Sequence, residues 1–381
     1  MEKTLKLTVT KTERNYGIDL LRIVSMMMIV TLHVLGRGGI LETVSNNSVK
    51  FVTVWFLEVM CLCSVNCYGL ISGYVGYGRK FKFANIINLW IEVVFYNVLI
   101  NVLFFILYKM NCFTTFEGKF STMFFPLTNE NYWYFTAYFF MSFFIPLFNF
   151  MLQRLPKKKI TYILLATIGM YSVFYVYFFN GNQDVFLLGR GYGIVWLSIL
   201  YLIGAYIKKY NFFKNIKVYK CILIFLFNSA LLLVCKFLEV NEILVSWFRY
   251  SIMDYNNFLH LVNGIVLLAL FSKLGMNKIM TSITKFFAPA TFGVYIIHLH
   301  LCIWFLLKQR FKIYAQYPIP LMIGAIILTV LGIWLICSLI DRIRILLFDL
   351  LKVKKYCIKL ENLGRKIFDK VYDKYFVDTV E

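Results

Sequence analysis

Ten stretches of mostly apolar residues, each long enough to cross a bilayer as a helix, recur along the 381-residue chain. They lie near residues 17–36, 51–75, 86–108, 132–152, 160–179, 191–207, 219–236, 254–274, 290–308 and 318–340. Hydrophobic residues make up 60% of the sequence, which is more apolar surface than a soluble globular protein needs. We therefore predict an all-α polytopic membrane protein, a bundle of about ten transmembrane helices.

The basic residues indicate how this bundle is oriented. The N-terminal segment, alternate loops and the tail hold 29 of the 40 Lys and Arg residues, whereas the other loops hold ten. By the positive-inside rule, both termini are cytoplasmic. This asymmetry also explains the net charge of +21 without a nucleic-acid partner. We expect an N-terminal arm (1–16), a membrane domain (17–340) that keeps its first helix as a signal-anchor, and a basic amphipathic tail (341–381) on the inner leaflet.

The first apolar run carries three ionisable residues, Asp19, Arg22 and His33. At ~100° per residue, Arg22 and His33 lie on one helix face, about 16 Å apart along the axis. Asp19 can pair with Arg22 one turn away, and Glu92 is expected at about the same depth. Alternatively, Asp19 and Arg22 could snorkel to the headgroups, and His33 could make a hydrogen bond that helps two helices to pack. The combination on one face favours a lined cavity.

Glu58 on the second run is expected at about the depth of His33, and the two could pair, because an unpaired carboxylate in a membrane is costly. Alternatively, Glu58 is neutral or faces the interface. After this run come Arg79, Lys80 and Lys82, which either contact headgroups or form a phosphate-binding patch at a cavity mouth. A glycine-rich segment, G-R-G-Y-G, occupies residues 189–193 on the predicted outer side, and no role is assigned to it.

Aromatic residues and histidines mark two later runs. Trp133 and Tyr134 open the fourth run, either as an aromatic belt or as a platform for sugar rings. Tyr295 and His298 share a face of the ninth run, whereas His298 and His300 point in different directions. That spacing argues against a two-histidine metal site, and the nine cysteines include no CxxC pair, so we expect no metal.

Five motifs in order resemble the membrane acyltransferase 3 family. From Arg14 to His33 the chain reads R-x-x-G-I-D-L-L-R, ten residues and then His. The others are L-I-S-G-Y at 70–74, W-Y at 133–134, Y-L-I-G-A-Y at 201–206 and F-G-V-Y-I-I-H at 292–298. The likeness covers about residues 14–340. Members of this family are bacterial integral membrane enzymes that O-acylate surface polysaccharides, lipopolysaccharide sugars, peptidoglycan and antibiotics.

The resemblance implies about ten helices, an acyl-CoA donor from the cytoplasm and a sugar hydroxyl as acceptor. The family's essential Arg-x10-His pair falls on Arg22 and His33. Some members carry Arg-x-x-Arg after the second helix, where this chain has Lys82 in place of the second arginine; the charge is kept but the bidentate fork is lost. Some also end in a hydrolase-like domain that this sequence does not show, so we expect the membrane domain or a partner protein to handle the acceptor.

The sequence thus predicts an acetyl-CoA-dependent O-acetyltransferase of the bacterial plasma membrane, acting on a cell-envelope polysaccharide, such as an exopolysaccharide, or its lipid-linked precursor. We expect His33 to act as general base with Glu58 orienting it, and Arg22, held by Asp19, to meet the donor. Residues expected to contact CoA phosphates are Arg79, Lys80 and Lys82. Residues expected to contact the acceptor are Trp133, Tyr134, Tyr295 and His298.

Two other functions fit some of these features. Buried acidic, basic and histidine residues also build proton relays, so a transporter or flippase of lipid-linked sugars is the main alternative. Against it, the sequence shows no paired half-repeats or broken-helix pairs. A glycan polymerase is the third interpretation, but the outer loops are short and nearly uncharged. Membrane lipids are expected partners, and the oligomeric state is left open.

Overall fold

The computed structural model describes residues 14–118, 123–128, 132–178, 188–243 and 253–372. Helices make up 80% of the structure, and the described residues form no strand. The first apolar run is helix α1 (Tyr16–Leu35), which begins after Asn15. The Asn15 side chain accepts a hydrogen bond from the Ile18 amide at 3.3 Å, and it therefore caps the helix N-terminus.

The later helices follow in chain order. They are α2 (Val49–Cys61), α3 (Ser64–Gly76), α4 (Phe83–Lys109), α5 (Trp133–Ser142), α6 (Ile145–Arg154), α7 (Lys157–Ile168), α8 (Ile194–Lys209), α9 (Val218–Val240), α10 (Phe258–Ser272), α11 (Lys278–Phe287), α12 (Thr291–Leu299), α13 (Leu301–Leu307), α14 (Ile319–Leu350) and α15 (Val353–Tyr372). A π-helical turn, Gly169–Phe174, continues α7 into Tyr175–Phe178. Short helical turns lie at Ile40–Thr43, Pro126–Thr128, Gly189–Gly191, Ala288–Ala290 and Lys312–Gln316.

Six to eight of these helical segments can cross a membrane, and the protein is a multi-pass membrane protein. Six are long and apolar enough alone: Tyr16–Leu35, Val49–Gly76, Phe83–Lys109, Lys157–Tyr177, Val218–Val240 and Ile319–Leu350. Two bent pairs raise the number to eight if each pair is one span. The remaining two predicted runs contain α8 and α10, whose 16 and 15 residues fall short of a full span.

The two bent pairs show that the prediction of no broken helices was wrong. Helices α5 and α6 meet at 54°, and α6 begins at Ile145 followed by Pro146, which has no amide hydrogen to continue α5. The segment containing α11 and α12 meets the segment beginning with α13 at 72°. There His300 leaves the helical region (φ −56°, ψ 136°), and its ring accepts a hydrogen bond from the Cys302 amide at 3.3 Å.

Helices α3 and α8 pack with almost no space between their backbones. A Cβ atom on Gly73 would lie 1.8 Å from the Tyr201 carbonyl oxygen, and one on Gly204 would lie 2.0 Å from the Leu70 carbonyl oxygen. Small residues permit such close approach between membrane helices. The L-I-S-G-Y and Y-L-I-G-A-Y motifs therefore form the buried contact between these two helices.

A buried ion-pair network extends the last long helix beyond the predicted start of the tail. Asp341 and Arg344 are 0% and 6% exposed, because the Arg344 guanidinium binds Asp341 and reaches Glu92 on α4 at 2.8 Å. The Tyr96 hydroxyl donates to Asp341 at 2.8 Å. These charges are satisfied inside the protein, so α14 continues to residue 350. Glu92 thus pairs with Arg344, where the sequence had suggested Arg22.

Helix α15 packs against the start of α4. Glu361 accepts a hydrogen bond from the Ala84 amide at 3.0 Å and pairs with Arg365 at 2.7 Å. A carboxylate at this position satisfies one of the free amides of the α4 N-terminus. The residues just before Ala84 form the basic loop between α3 and α4, so α15 fixes one end of that loop.

Candidate active site

Two cavities of about 460 Å³ each lie inside the helix bundle. The arginine cavity is lined by side chains that include Arg22, Ser72, Arg79, Lys80, Lys82 and Tyr138. The histidine cavity is lined by side chains that include His33, Glu58, Trp133, Arg190, Tyr192 and Tyr255. Helix α1 contributes to both, with Arg22 in the first and His33 in the second.

Cations dominate the arginine cavity. Arg22 pairs with Asp19, which also accepts a hydrogen bond from Arg14 at 2.6 Å. Asp19 is only 3% exposed, and it stands behind Arg22 and outside the lining of this cavity. It holds the guanidinium while leaving the cavity surface positive. The three predicted basic residues of the following loop are exposed and line the same cavity: Arg79, Lys80 and Lys82.

A second histidine holds His33 in place. The His33 Nδ1 atom lies 2.9 Å from His298 Nε2, and His298 Nδ1 lies 2.6 Å from the Val294 carbonyl oxygen. A carbonyl oxygen only accepts, so His298 donates from Nδ1 and its Nε2 accepts. In the neutral pair, His33 must then donate from Nδ1, which leaves the lone pair on Nε2.

This arrangement determines the chemistry available to His33. Its Nε2 atom makes no hydrogen bond within the described ranges, so it is the nitrogen that can take a proton from a ligand. Trp304 packs edge-on against the imidazole, with ring centroids 4.9 Å apart. His298 is 1% exposed and is not part of the cavity lining. The sequence had assigned His298 to the acceptor, whereas its contact in the structure is with His33.

Glu58 lines the histidine cavity but does not bond to His33. Its side chain is 5% exposed, and its Oε2 atom has no hydrogen-bond partner in the part of the chain that the structure describes. Leaving a buried carboxyl oxygen without a partner is costly. The place beside the imidazole that was predicted for Glu58 is occupied by His298.

Three aromatic rings form one wall of the histidine cavity. The centroids of Trp133 and Tyr192 are 4.4 Å apart, those of Tyr192 and Tyr255 are 4.8 Å apart, and Trp133 stacks on Tyr255 at 19°. The wall depends on Gly191, whose φ of +88° and closeness to the next loop exclude a side chain: a Cβ would lie 2.8 Å from the Asn256 amide nitrogen.

Other polar groups lie near this aromatic wall. Arg190 and Asp254 line the cavity, with Arg190 Nε 3.9 Å from an Asp254 oxygen. Asn66 donates to the Tyr255 carbonyl at 2.8 Å and holds that loop against α3. Sequence reasoning missed Arg190, Tyr192, Asp254 and Tyr255. Two of them, Arg190 and Tyr192, lie in the glycine-rich segment at 189–193, which stood out in the sequence but was given no role. Asp254 and Tyr255 had no such signal.

Of the other predicted acceptor residues, Tyr134 lies where the two cavities meet, whereas Trp133 and Tyr295 line the histidine cavity alone. Tyr134 lies 6.2 Å from Tyr295, whose hydroxyl accepts a hydrogen bond from the Phe135 amide at 3.4 Å. Trp133, Tyr134 and Tyr295 all line the histidine cavity. Tyr134 lines the arginine cavity as well, and so do Tyr68 and Phe292. These three side chains form the aromatic partition between the cavities.

Comparisons with known proteins agree with the motifs. A family model described as "Acyltransferase domain" matches residues 15–338. Comparisons with curated proteins and with solved structures give no significant match. The matched range is most of the chain and includes Arg22, His33 and the described residues that line both cavities. The chain therefore belongs to the acyltransferase 3 family of membrane acyltransferases.

Proposed function

We propose that this protein transfers an acetyl group from acetyl-CoA, bound at the arginine cavity, to a hydroxyl of a cell-envelope glycan or its lipid-linked precursor in the histidine cavity. The observation that carries this proposal is the histidine pair, because it leaves a proton-accepting nitrogen on His33 inside a sugar-sized cavity lined by aromatic rings. Family membership supplies the reaction class, acyl transfer.

The proposed orientation follows from charge. Arg14, Arg79 and Lys208 come together around a further cavity beside Arg22, at the end of the bundle where α1 begins. By the positive-inside rule this end faces the cytoplasm, with both termini there. In the proposed topology α8 and α10 count as short spans beside the other eight, which gives ten in the plasma membrane of a bacterium. Acetyl-CoA is a cytoplasmic metabolite, so the donor and the basic end of the bundle lie on the same side.

The donor fits the arginine cavity by charge. CoA carries several phosphate groups, and guanidinium and ammonium groups are their usual partners. Arg22 offers a fork held by Asp19, while Arg79, Lys80 and Lys82 offer charges at the mouth. The ~16 Å rise along α1 from Arg22 to His33 is a distance that the extended arm of CoA can cover.

The acceptor fits the histidine cavity by shape and polarity. The apolar face of a sugar ring can stack on the wall formed by Trp133, Tyr192 and Tyr255. In the proposed step, His33 Nε2 takes the proton from the acceptor hydroxyl as its oxygen attacks the thioester carbonyl. The C–S bond breaks, the imidazolium returns the proton to the leaving sulfur, and the products are an ester and CoA with a free thiol.

His298 acts on this step through His33. It accepts the Nδ1 hydrogen of His33 and thereby keeps the lone pair on Nε2 whenever His33 is neutral. It also disperses the positive charge that forms when His33 is protonated. His298 is therefore proposed as a positioning residue, and His33 as the catalytic base.

A transporter of lipid-linked sugars remains the second candidate because two helix pairs are bent, a feature that transporters use at their substrate sites. Membership in an acyltransferase family outweighs this observation. The two functions predict different phenotypes. Loss of an acyltransferase removes acetyl groups from a glycan of normal amount, whereas loss of a transporter lowers the amount or length of the glycan.

The experiment that tests the proposal compares the native host with strains carrying His33→Gln or Arg22→Ala. Surface polysaccharides are extracted, base-labile acetyl groups are counted by NMR, and the protein in each membrane is checked by immunoblot. His300→Gln is the matched control, because His300 binds Asn101 and lies outside both cavities. We expect His33→Gln to lose one acetyl signal and Arg22→Ala to weaken the same signal, while the control keeps it. Unchanged acetylation in the His33→Gln strain would overturn the proposal.

A further inference from the structure

The carboxyl group of Glu58 has no role in the step described above, although it is one of the most deeply buried charged side chains that line a cavity. It is 95% buried on α2, and its Oε2 atom lacks a hydrogen-bond partner within the described ranges. Asp254, the other carboxyl on the same lining, lies close to Arg190. A buried carboxyl oxygen without a partner, on a side chain that lines a cavity, indicates a group whose partner arrives with the ligand.

The surroundings of Glu58 define what that partner is. The aromatic wall of Trp133, Tyr192 and Tyr255 lines the same cavity, as does the His33 imidazole. No cationic side chain lies within salt-bridge distance of Glu58 among the described residues. The lining residues that follow it are Leu62, between α2 and α3, and Val65 and Tyr68 on α3. The Tyr68 hydroxyl is already used, because it donates to the Arg22 carbonyl at 2.8 Å. The site therefore offers one hydrogen-bond acceptor on an otherwise apolar side, which suits a neutral donor such as a hydroxyl or an amide N–H.

An aromatic wall alone does not fix the orientation of a sugar. Stacking on an aromatic face is tolerant of rotation, and a pyranose carries several hydroxyls of similar reactivity. A single directional hydrogen bond at a second point removes this freedom, because the ring must satisfy Glu58 and His33 together. A site built to bond a particular donor also discriminates strongly against poses that leave its buried acceptor unpaired.

We infer that Glu58 binds a second hydrogen-bond donor on the acceptor ring and thereby selects which hydroxyl His33 deprotonates. The inference rests on the proposed function and adds the substrate class: a ring bearing at least two donors, one acylated and one held by Glu58. Glu58 is then a substrate-binding residue that determines the position of the ester, with no part in orienting the imidazole.

The test is the position of the acetyl group, which a purely structural role for Glu58 would not change. In the native host, the chromosomal gene is replaced by Glu58→Leu, which keeps most of the volume but removes the acceptor, and by Glu58→Gln, which keeps an amide oxygen. Glu239→Leu is the matched control, because Glu239 pairs with Lys236 and does not line either cavity. Two-dimensional NMR of the extracted surface polysaccharide gives the acetylated position, and immunoblots give the protein level.

We expect one acetylated position for the wild type, for Glu239→Leu and, predominantly, for Glu58→Gln. In Glu58→Leu the preference for that position should fall by about tenfold or more, giving esters at several hydroxyls. A single unchanged position in Glu58→Leu would overturn the inference, and so would complete loss of acetyl groups with normal protein level, because Glu58 would then act in the chemistry. If Glu58→Leu does not accumulate, Glu58→Ala carries the same expectation. Absence of any gene-dependent acetyl signal in the wild type would instead refute the proposed function.

Discussion

The two cavities have nearly the same volume, but their polar side chains are held in different ways. In the arginine cavity, Arg79, Lys80 and Lys82 are exposed on a loop, and only Arg22 is anchored by a buried partner. In the histidine cavity, His33 is bonded to a buried histidine that is itself bonded to the backbone. Charge attraction acts over several ångströms and tolerates movement, whereas proton transfer requires one atom at one position.

This comparison predicts that substitutions in the two cavities change different kinetic constants. Changes in the histidine cavity should lower kcat, because they disturb the reacting groups. Changes in the arginine cavity should raise the KM for acyl-CoA and leave kcat nearly intact, because they remove binding shared by the ground state and the transition state. The two effects should be separable because the charged residues that line the two cavities are different.

Among variants that keep both His33 and its cavity, the largest effect is expected for His298→Leu. Leucine cannot accept the Nδ1 hydrogen of His33, so the imidazole loses the bond that keeps its lone pair on Nε2. Loss of a hydrogen bond to a group that becomes charged should lower kcat by roughly 10- to 100-fold, with the KM for acetyl-CoA unchanged. The measurement is the release of CoA thiol by the purified protein in nanodiscs, with the extracted surface polysaccharide of the host as acceptor.

Two further variants test whether the loss of kcat comes from the hydrogen bond between His298 and His33. His298→Gln keeps a side-chain oxygen able to accept from His33, and it should retain more activity than His298→Leu. His300→Gln changes a neighbouring buried histidine that faces Asn101, and its kcat should equal that of the wild type. A rise in the KM for acetyl-CoA with kcat intact in His298→Leu would contradict the division of roles between the cavities.

A smaller effect is expected for Arg22→Lys. Lysine keeps the positive charge next to Asp19 but loses the planar fork that can bind phosphate and carboxylate together. The KM for acetyl-CoA should rise up to about tenfold, while kcat changes little. Arg154→Lys at the end of α6 is the control, because Arg154 lines neither cavity. A fall in kcat without a change in KM would mean that Arg22 acts on the chemistry from the other side of the aromatic partition.

Sequence reasoning located the parts of both cavities that lie on one helix. The eleven-residue spacing of Arg22 and His33 follows from the helical repeat alone, and Asp19 pairs with Arg22 because it is one turn away. The aromatic residues Trp133 and Tyr134 were recognised because they open an apolar run. In each of these cases the signal is local, so periodicity and neighbouring residues were sufficient.

The parts that sequence reasoning did not locate depend on contacts between distant segments. His298 is 265 residues away from its partner His33, and Glu92 is 252 residues away from Arg344. Depth in the membrane narrows the choice of partner but does not decide it, so Glu58 was assigned to His33 and Glu92 to Arg22. For the same reason Asp341, which looked like the start of a polar tail, proved to be a buried residue of α14.

The smallest effect is expected for Lys82→Arg, which restores the Arg-x-x-Arg pattern of other family members. Lys82 is exposed at the mouth of the arginine cavity, where solvent and salt weaken each charge. Exposed ion pairs contribute about 0–1 kcal/mol, so the KM for acetyl-CoA should fall by no more than about fivefold, and the gain should disappear in roughly 0.5 M salt. Titration of acetyl-CoA at low and high salt measures both. Lys80→Arg adds the same guanidinium outside the pattern and should produce a smaller change. If Lys82→Arg instead lowered the KM more than tenfold at high salt, binding by this loop would depend on defined hydrogen-bond geometry. The side chains of the arginine cavity would then be held in position as precisely as those of the histidine cavity.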